Sequence, residues 1–334
     1  MSDPFAARYL GRLVLGGGVA AVKCRTCGEP AVINMRQHKL ALCADHYVAW
    51  FQGQTERFIG KYGMFTSEER VLVAVSGGKD SLALWDVLLT LGYQADGLYI
   101  GLGIDGGVQY SAESLEMAQR FAAGRAGAEL HVVDIAGEYG LGVPEAAQLT
   151  IRGRTKPCAV CGMVKRHVMN RVARDGGYAV LATGHNLDDE AAVLFGNTLH
   201  WQVGYLARQA PVLQESAGGL VRKVKPFCRF YERETAAYTL LQGIDYIYVE
   251  CPFADGATSI HHKLVLNGLE AEAPGTKLQF YLSFLQARRA GAFAGMEGSA
   301  PEMLACRTCG QPTTAGDQCA FCRLWETVRV RRHS

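Results

Sequence analysis

Short apolar runs with strand-like composition alternate with amphipathic stretches over residues 70–250, and this alternation constrains the fold more than any other feature. The apolar runs are VLVAV at 71–75, DGLYIGL at 96–102, ELHVVDI at 129–135 and YAVLATG at 178–184. Helical periodicity fills the gaps at 81–91, 112–126, 161–175 and 187–199. Such a pattern predicts a parallel sheet covered on both faces, with its ligand at the carboxyl ends of the strands. The expected fold class is therefore α/β with a doubly wound, mostly parallel sheet. A further strand near 244–249 and a helix near 276–290 are also predicted.

The first strand leads directly into a glycine-rich loop and then into a helix. The loop consists of Ser76, Gly77, Gly78, Lys79, Asp80 and Ser81. Glycines let the backbone approach a phosphate closely, and the helix N-terminus offers unpaired N–H groups and a positive dipole end. The loop is not a Walker A motif, which would need glycine where the chain has Val73. We expect it to bind an anion, and a plain glycine turn is the weaker alternative.

The fourth strand ends in a polar and acidic segment, GHNLDDE at 184–190. Gly184, His185 and Asp189 therefore follow a strand end, beside the expected nucleotide crevice. An alternative is that the acids of this segment only complement the dipole of the following helix.

Two sets of four ligands with paired spacing lie near the two ends of the chain. They are Cys24, Cys27, Cys43 and His46 in one set, and Cys306, Cys309, Cys319 and Cys322 in the other. Tetrahedral zinc takes such sets in closed structural sites, so a zinc ribbon is predicted at each end. Gly28 and Gly310 follow the second cysteine of each set, where a knuckle turns back with a positive φ. Unliganded thiols in small loops are the alternative.

Four cysteines remain, and two of them lie among basic residues. They are Cys158, Cys161, Cys228 and Cys251. Seven Lys or Arg residues and no acid lie between Arg152 and Arg174, which indicates a phosphate-rich partner, and we expect RNA. Lys165 lies about one helical turn beyond Cys161, near the expected reaction centre. The basic stretches at 222–225 and 329–332 would extend this track, whereas a solvated helix face is the alternative for any single residue.

Composition limits where such a chain works. Eleven cysteines in metal-type spacings favour a reducing compartment, and no apolar run is long enough for a membrane span. The one candidate targeting segment, LVLGGGVAAV at 13–22, is short and is followed by the first cysteine pair. A cytoplasmic protein without membrane contact is therefore expected, and a net charge of +2 means that the location of charge matters more than its sum.

The SGGKDS loop resembles the pyrophosphate loop (PP-loop) of the ATP pyrophosphatases, which have HUP-like folds and cleave ATP between the α and β phosphates. The whole chain resembles the TtuA/TtcA-type tRNA 2-thiolation enzymes, and the ribbons at both ends are more like the TtuA branch. The shared motifs are the leading CxxC and CxxH, SGGKDS, CxxCG followed by KR, GHNLDDE, ECP and the trailing CxxC pairs, in that order.

The resemblance implies that Cys158, Cys161 and Cys251 ligate a [4Fe-4S] cluster and leave one iron open. It further implies that Asp189 binds Mg²⁺ or polarises the adenylated centre. ATP would adenylate a uridine C2 oxygen, with pyrophosphate held on residues 76–81, and sulfur would then displace AMP. The sulfur would be a sulfide on the open iron or a persulfide on a cysteine. A ubiquitin-like sulfur carrier with a C-terminal thiocarboxylate and a homodimer are also implied.

Several alternatives stay open. T-loop 5-methyluridine is the expected target, with wobble uridine or a cytidine as alternatives. Cys228 is either a buried small hydrophobe or the fourth ligand of a zinc site with the other three cysteines. The segment 102–111, LGIDGGVQYS, departs from the tighter turn of the family, so the resemblance assigns no adenosine contacts to it. An ammonia-using synthetase of the same fold and a zinc-ribbon RNA-binding protein with an inactive loop are the rival functions. The expected division is a ribbon at 1–52, a catalytic domain at 53–295 and a ribbon at 296–334.

Overall fold

The computed structural model describes residues 22–105, 107, 109–216, 218–254, 258–296 and 303–332. The stretch considered as a targeting segment therefore lies, apart from Val22, outside the described residues. Across the described ranges, no helix is both long enough and apolar enough to cross a membrane.

A six-stranded sheet forms the centre of the fold. In spatial order its strands are β5 (Leu130–Asp134), β4 (Ala95–Gly101), β3 (Val71–Val75), β6 (Val180–Thr183), β8 (Arg222–Val224) and β7 (Val212–Leu213). Every neighbouring pair is parallel except β7 and β8. The chain runs outward from β3 to β5 and then returns to place β6 on the other side of β3, which makes the gap between β3 and β6 the topological switch point. The predicted α/β fold class is confirmed.

Thirteen α-helices occur in the described part of the chain. They are α1 (Ala44–Tyr62), α2 (Lys79–Thr90), α3 (Tyr110–Ala123), α4 (Ile135–Tyr139), α5 (Val143–Gln148), α6 (Ile151–Thr155), α7 (Pro157–Asp175), α8 (Leu187–Leu199), α9 (Val203–Arg208), α10 (Glu232–Leu241), α11 (Thr258–Glu272), α12 (Thr276–Arg289) and α13 (Ala320–Arg332). A 3-10 turn covers Arg36–His38. Helix α7 begins four residues earlier than predicted because Pro157 occupies its first position, where a missing N–H costs nothing.

Helices cover both faces of the sheet, as an apolar parallel sheet requires. Along β3, Val71, Val73 and Val75 point into one core cluster, whereas Leu72 points into the other. The first cluster includes residues of α1, α2 and α10, and the second includes residues of α7 and α13. Successive strand residues therefore serve opposite faces.

Two small antiparallel sheets flank this core. Strands β1 (Ile33–Met35) and β2 (Leu40–Leu42) pair in the N-terminal ribbon, and β9 (Leu304–Ala305) pairs with β10 (Pro312–Thr313) in the C-terminal one. The N-terminal ribbon packs into the first core cluster and the C-terminal ribbon into the second. Helix α1 runs across the expected boundary at residue 52, and the division into three domains stays a prediction.

The strand predicted near 244–249 is wrong. This segment has no regular secondary structure and joins no sheet, and instead the N–H of Ile247 donates to the carbonyl of Gly77 at 2.9 Å. The alternation of apolar residues gave a strand-like pattern because Ile244 and Tyr246 are buried in the first core cluster.

Candidate active site

The glycine-rich loop leaves the carboxyl end of β3 and enters α2 with Gly78 as the N-cap. Gly77 has a φ of 73°, and a Cβ built on it would lie 2.2 Å from the carbonyl oxygen of Ser114. Glycine is therefore required at this position for both conformation and space. The Ser81 hydroxyl donates to the Gly78 carbonyl at 2.9 Å and accepts from the Ser76 N–H at 3.1 Å, which fixes the loop.

The Lys79 side chain turns away from the cavity that its neighbours line. Its Nζ lies 3.0 Å from Oδ2 of Asp80 and 2.8 Å from Oε1 of Glu232. Burial lowers the pKa of Lys79, but the two carboxylates outweigh burial and raise it above its usual value. Lys79 is therefore a cation in a closed ion network, and Glu232 was not identified from the sequence because no motif surrounds it.

A cavity of about 450 Å³ lies at the carboxyl ends of β3, β4 and β6. Its lining includes seven residues predicted for the site: Ser76, Asp80, Ser81, Lys165, Gly184, His185 and Asp189. Burial lowers the pKa of His185, and its Nδ1 lies 2.8 Å from the Thr183 hydroxyl. A Cβ on Gly184 would lie 2.7 Å from the Asp80 carbonyl oxygen, so glycine allows the β6–α8 turn to approach the loop. The structure thus brings the two sequence motifs to one cavity.

Asp189 caps α8 and also faces this cavity. Its N–H donates to Oδ1 of Asn186 at 3.1 Å, and its own Oδ2 accepts from the Asn186 N–H at 3.0 Å. Asp189 therefore takes part in capping the helix, as the alternative interpretation predicted, and it also lines the cavity. Oδ1 of Asp189 lies 2.6 Å from Nζ of Lys263, a residue of α11 that sequence reasoning missed.

The three cysteines expected to act together line a second cavity of about 350 Å³. Cys158 is exposed in the first turn of α7, and its thiol donates to the Phe253 carbonyl at 3.3 Å. Burial raises the pKa of Cys161, while Lys165 opposes that shift. Ile104, Gly162 and Lys165 line both cavities. The two cavities therefore adjoin along the first turns of α7.

The donor set of the second cavity fits a cluster better than a single zinc ion. In each ribbon the four ligand atoms all lie within 4.8 Å of one another, but Cys158, Cys161 and Cys251 do not form such a group among the described residues. A four-iron cube holds its thiolates farther apart than one tetrahedral ion does. Cys228 is fully buried in the first core cluster, whereas Cys161 and Cys251 pack against the second. The four-cysteine zinc alternative is therefore wrong, and Cys228 is a buried core residue.

Both predicted ribbons present complete metal-ligand sets. Nδ1 of His46 lies 3.1 Å from the Cys43 sulfur and 3.8 Å from the Cys24 sulfur. Gly28 and Gly310 have φ values of 82° and 68°, as their positions in the knuckles require. Burial raises the pKa of the Cys306 thiol, but backbone N–H groups outweigh burial and lower it to about 6. Thiolate-stabilising knuckles of this kind suit zinc.

The C-terminal ribbon is docked on the helix that carries Cys158 and Cys161. The rings of His167 and Phe321 stack with centroids 3.8 Å apart, and those of Tyr139 and Trp325 stack at 4.6 Å. The Gln311 amide donates to the His167 carbonyl at 3.1 Å. Burial lowers the pKa of His167 to about 4, with Arg171 and Arg174 acting in the same direction. His167 is therefore neutral in its stack.

Many of the basic residues assigned to an RNA track are paired with acids. Arg171 binds Glu138 at 2.9 Å, and Arg174 lies 2.9 Å from Asp175. Arg222 pairs with Glu69, and Lys225 lies 2.7 Å from Glu190. The stretch 222–225 therefore does not extend the track as expected. Arg154 and Lys156 remain exposed beside the second cavity.

Comparisons with known proteins agree with this arrangement. The family model described as "2-thiouridine synthetase TtuA, N-terminal LIM domain" matches residues 23–48, which hold the first ligand set. A tRNA-5-methyluridine(54) 2-sulfurtransferase from Thermus thermophilus is 54% identical over 92% of this chain and 92% of that protein. One from Thermotoga maritima is 42% identical over 93% of this chain and 99% of that protein.

A solved structure with the same fold is the U34-tRNA thiolase NcsA from Methanococcus maripaludis, described with its [4Fe-4S] cluster. It superposes with a TM-score of 0.74 at 21% identity and covers 93% of this chain and 97% of that chain. This likeness shows the fold. The identity and coverage of the two sequence relatives show more: the chain belongs to the tRNA-5-methyluridine(54) 2-sulfurtransferase family.

Proposed function

We propose that this chain replaces the C2 oxygen of a tRNA uridine by sulfur, at the 5-methyluridine of position 54, in an ATP-dependent and AMP-forming reaction. The names of the two bacterial relatives specify this nucleotide and this transfer. We call the cavity of about 450 Å³ beside the glycine-rich loop the loop cavity, and the cavity of about 350 Å³ lined by the three cysteines the cysteine cavity. The observation that carries the proposal is that the two cavities share Ile104, Gly162 and Lys165 in their linings. A base that enters between them would meet both ATP and the sulfur centre.

Activation would take place in the first cavity. The loop of residues 76–81 binds the β and γ phosphates through backbone N–H groups at the start of α2. Asp189 would hold the Mg²⁺ that neutralises the phosphates. The uridine C2 oxygen attacks the α-phosphorus, the bond to the bridging oxygen breaks and pyrophosphate leaves. Lys165, on the wall common to both cavities, would stabilise charge that develops at this oxygen.

Sulfur transfer would take place on the cysteine side. Cys158, Cys161 and Cys251 would hold the [4Fe-4S] cluster, which when bound supplies an open coordination position for a sulfide-level donor. Sulfur forms its bond to C2, the C2–O bond breaks and AMP leaves, with no net oxidation. The target base is stacked inside the folded tRNA, so it must be extruded to reach the cavities, at a cost of a few kcal/mol.

Exposed Arg154 and Lys156 would hold the tRNA backbone beside the cysteine cavity. We also propose zinc in both ribbons, a ubiquitin-like thiocarboxylate carrier as sulfur donor, a homodimeric assembly and action in the cytoplasm. These proposals rest on the ligand sets and on the family resemblance.

Anaerobic incubation with tRNA, ATP, Mg²⁺ and sulfide, followed by mass spectrometry of the nucleosides, tests the function. We expect 2-thio-5-methyluridine from position 54, dependent on ATP. Cys251→Ala should abolish the product, whereas the matched control Cys228→Ala, in the other core cluster, should retain it. Thiolated wobble uridine or thiolated cytidine would change the assigned substrate. Full activity in iron-free protein would refute the cluster mechanism.

A further inference from the structure

Three cations line the loop cavity without an acidic partner. Lys165 and Arg166 come from α7, and Lys223 comes from β8 on the opposite wall. Each of the two acids of the same lining already has a lysine beside it, Lys79 at 3.0 Å from Asp80 and Lys263 at 2.6 Å from Asp189. Within the part of the chain that the structure describes, no carboxylate forms an ion pair with Lys165, Arg166 or Lys223. These three cations could therefore bind an anion in the cavity, in addition to the anion expected at the glycine-rich loop.

Lys223 differs from the basic residues on either side of it. Arg222 is neutralised by Glu69 and Lys225 by Glu190. Val224 is fully buried in the first core cluster, so the alternation of the strand turns Lys223 toward the other face of the sheet. Lys223 pairs in register with Leu181 of β6, which belongs to the cluster that α7 covers. Lys223 therefore faces the loop cavity, and not the outer surface that an RNA track would use.

The environment of Lys223 disfavours an unpaired charge. Burial lowers its pKa to about 8, and Lys225 and Arg166 act in the same direction. Lys223 is half-buried, and a charge that is partly withdrawn from water is normally stabilised by a counter-ion. Unpaired charges with a perturbed pKa are typical of functional sites, where a bound ligand can supply the opposite charge.

On the basis of the proposed function, we infer that Lys223 and Arg166 bind a phosphate group of the substrates inside the cavity. Arg166 offers a planar set of donors and Lys223 a point charge, and both suit phosphate oxygens. Two sources carry this chemistry: the α-phosphate of ATP, which becomes that of AMP, and the phosphate next to the target nucleotide of tRNA. In either case the two residues position the phosphate relative to Lys165.

Lys223→Met and Lys223→Arg test this inference in the full-length chain, with Lys61→Met as a matched control at an exposed lysine of α1. We expect Lys223→Met to weaken one ligand by about 10- to 100-fold, as loss of a charged hydrogen bond does. Lys223→Arg should recover most of that loss. The melting temperature of ligand-free Lys223→Met should equal or exceed that of the parent, because an uncompensated charge is removed. A merely structural lysine would give the opposite result.

Two binding measurements distinguish the sources of the phosphate. If it belongs to ATP, Lys223→Met weakens binding of AMP and of a non-hydrolysable ATP analogue without tRNA. If it belongs to tRNA, nucleotide binding is unchanged, and the slope of log affinity against log salt for tRNA falls by about one. Unchanged affinity for both ligands, or a loss that arginine does not restore, overturns the inference. Nucleotide binding that depends on Lys223 in a chain that thiolates no tRNA would refute the proposed function alone.

Discussion

The imidazole of His167 on α7 lies parallel to the phenyl ring of Phe321 on α13, with an interplanar angle of 4°. This contact joins the C-terminal ribbon to the helix whose first two turns carry Cys158 and Cys161. Burial, with Arg171 and Arg174 acting in the same direction, lowers the pKa of His167 to about 4, which agrees with a neutral stack. The ribbon therefore braces the cysteine helix from the side opposite the cavities.

Phe321→Ala should remove much of this brace. Phe321 is 4% exposed, and truncation of a buried phenylalanine costs about 3–5 kcal/mol. We expect a lower free energy of unfolding and faster amide hydrogen exchange across 157–175. Val330→Ala on the same helix, at a side chain that is 62% exposed, should change stability by less than about 0.5 kcal/mol. Unaltered exchange in α7 would show that the ribbon does not support it.

Gly184→Ala should separate the two motifs of the loop cavity. The added methyl group would meet the backbone of Asp80, which cannot rotate away, and overpacking of this kind costs about 1–3 kcal/mol. We expect a lower melting temperature and weaker binding of an ATP analogue. Gly78→Ala is the structural control, since its methyl group would lie 3.5 Å from the Ser76 hydroxyl, an ordinary contact. Equal melting temperatures for the two variants would contradict the close approach.

Glu232 should make stability depend on pH in the acid range. Burial raises its pKa, but Lys79 and Lys263 outweigh burial and lower it from 4.5 to about 2. The unfolded chain binds the proton at higher pH than the folded chain, so the stabilisation is complete above 4.5 and is lost as the pH falls toward 2. Urea unfolding at successive pH values should show a difference between parent and Glu232→Gln that shrinks over this range. A constant difference would mean that the carboxylate is not held by the lysines.

Removal of one metal ligand should affect the two ribbons differently. Elemental analysis should give about two zinc ions per chain, one for each four-ligand set. Cys24→Ser and Cys306→Ser should each lose one. Only Cys306→Ser should accelerate hydrogen exchange in α7, because only the C-terminal ribbon packs into the second core cluster. Equal exchange in both variants would refute this division.

Local patterns were sufficient to predict four of the six strands of the central sheet and the position of the loop, but not the short strands β7 and β8. The four apolar runs became β3 to β6 because consecutive residues such as Leu72 and Val73 are buried on opposite faces, which gives a nearly continuous apolar signal. The loop motif and the acidic motif lie at strand ends that the parallel topology brings together. The CxxC pair was predicted as a metal-ligand motif, but not its place in the first turns of α7, which begins at Pro157.

Long-range ion pairs were beyond prediction. Lys263 and Glu232 have no motif around them, and their partners Asp189 and Lys79 lie far away in sequence. The acids that neutralise Arg171 and Arg222 likewise come from distant segments, so a run of cations in the sequence overstated the surface available to RNA. The charges of one segment do not show which of them pair with opposite charges from distant segments in the folded chain.

The 2.2 Å that a methyl group on Gly77 would leave to the Ser114 carbonyl has a mechanical consequence. The loop has no clearance against α3, so a bound anion that pushed the loop toward this helix would also displace the turn that carries Ser114. Loop and helix would then shift together at this contact.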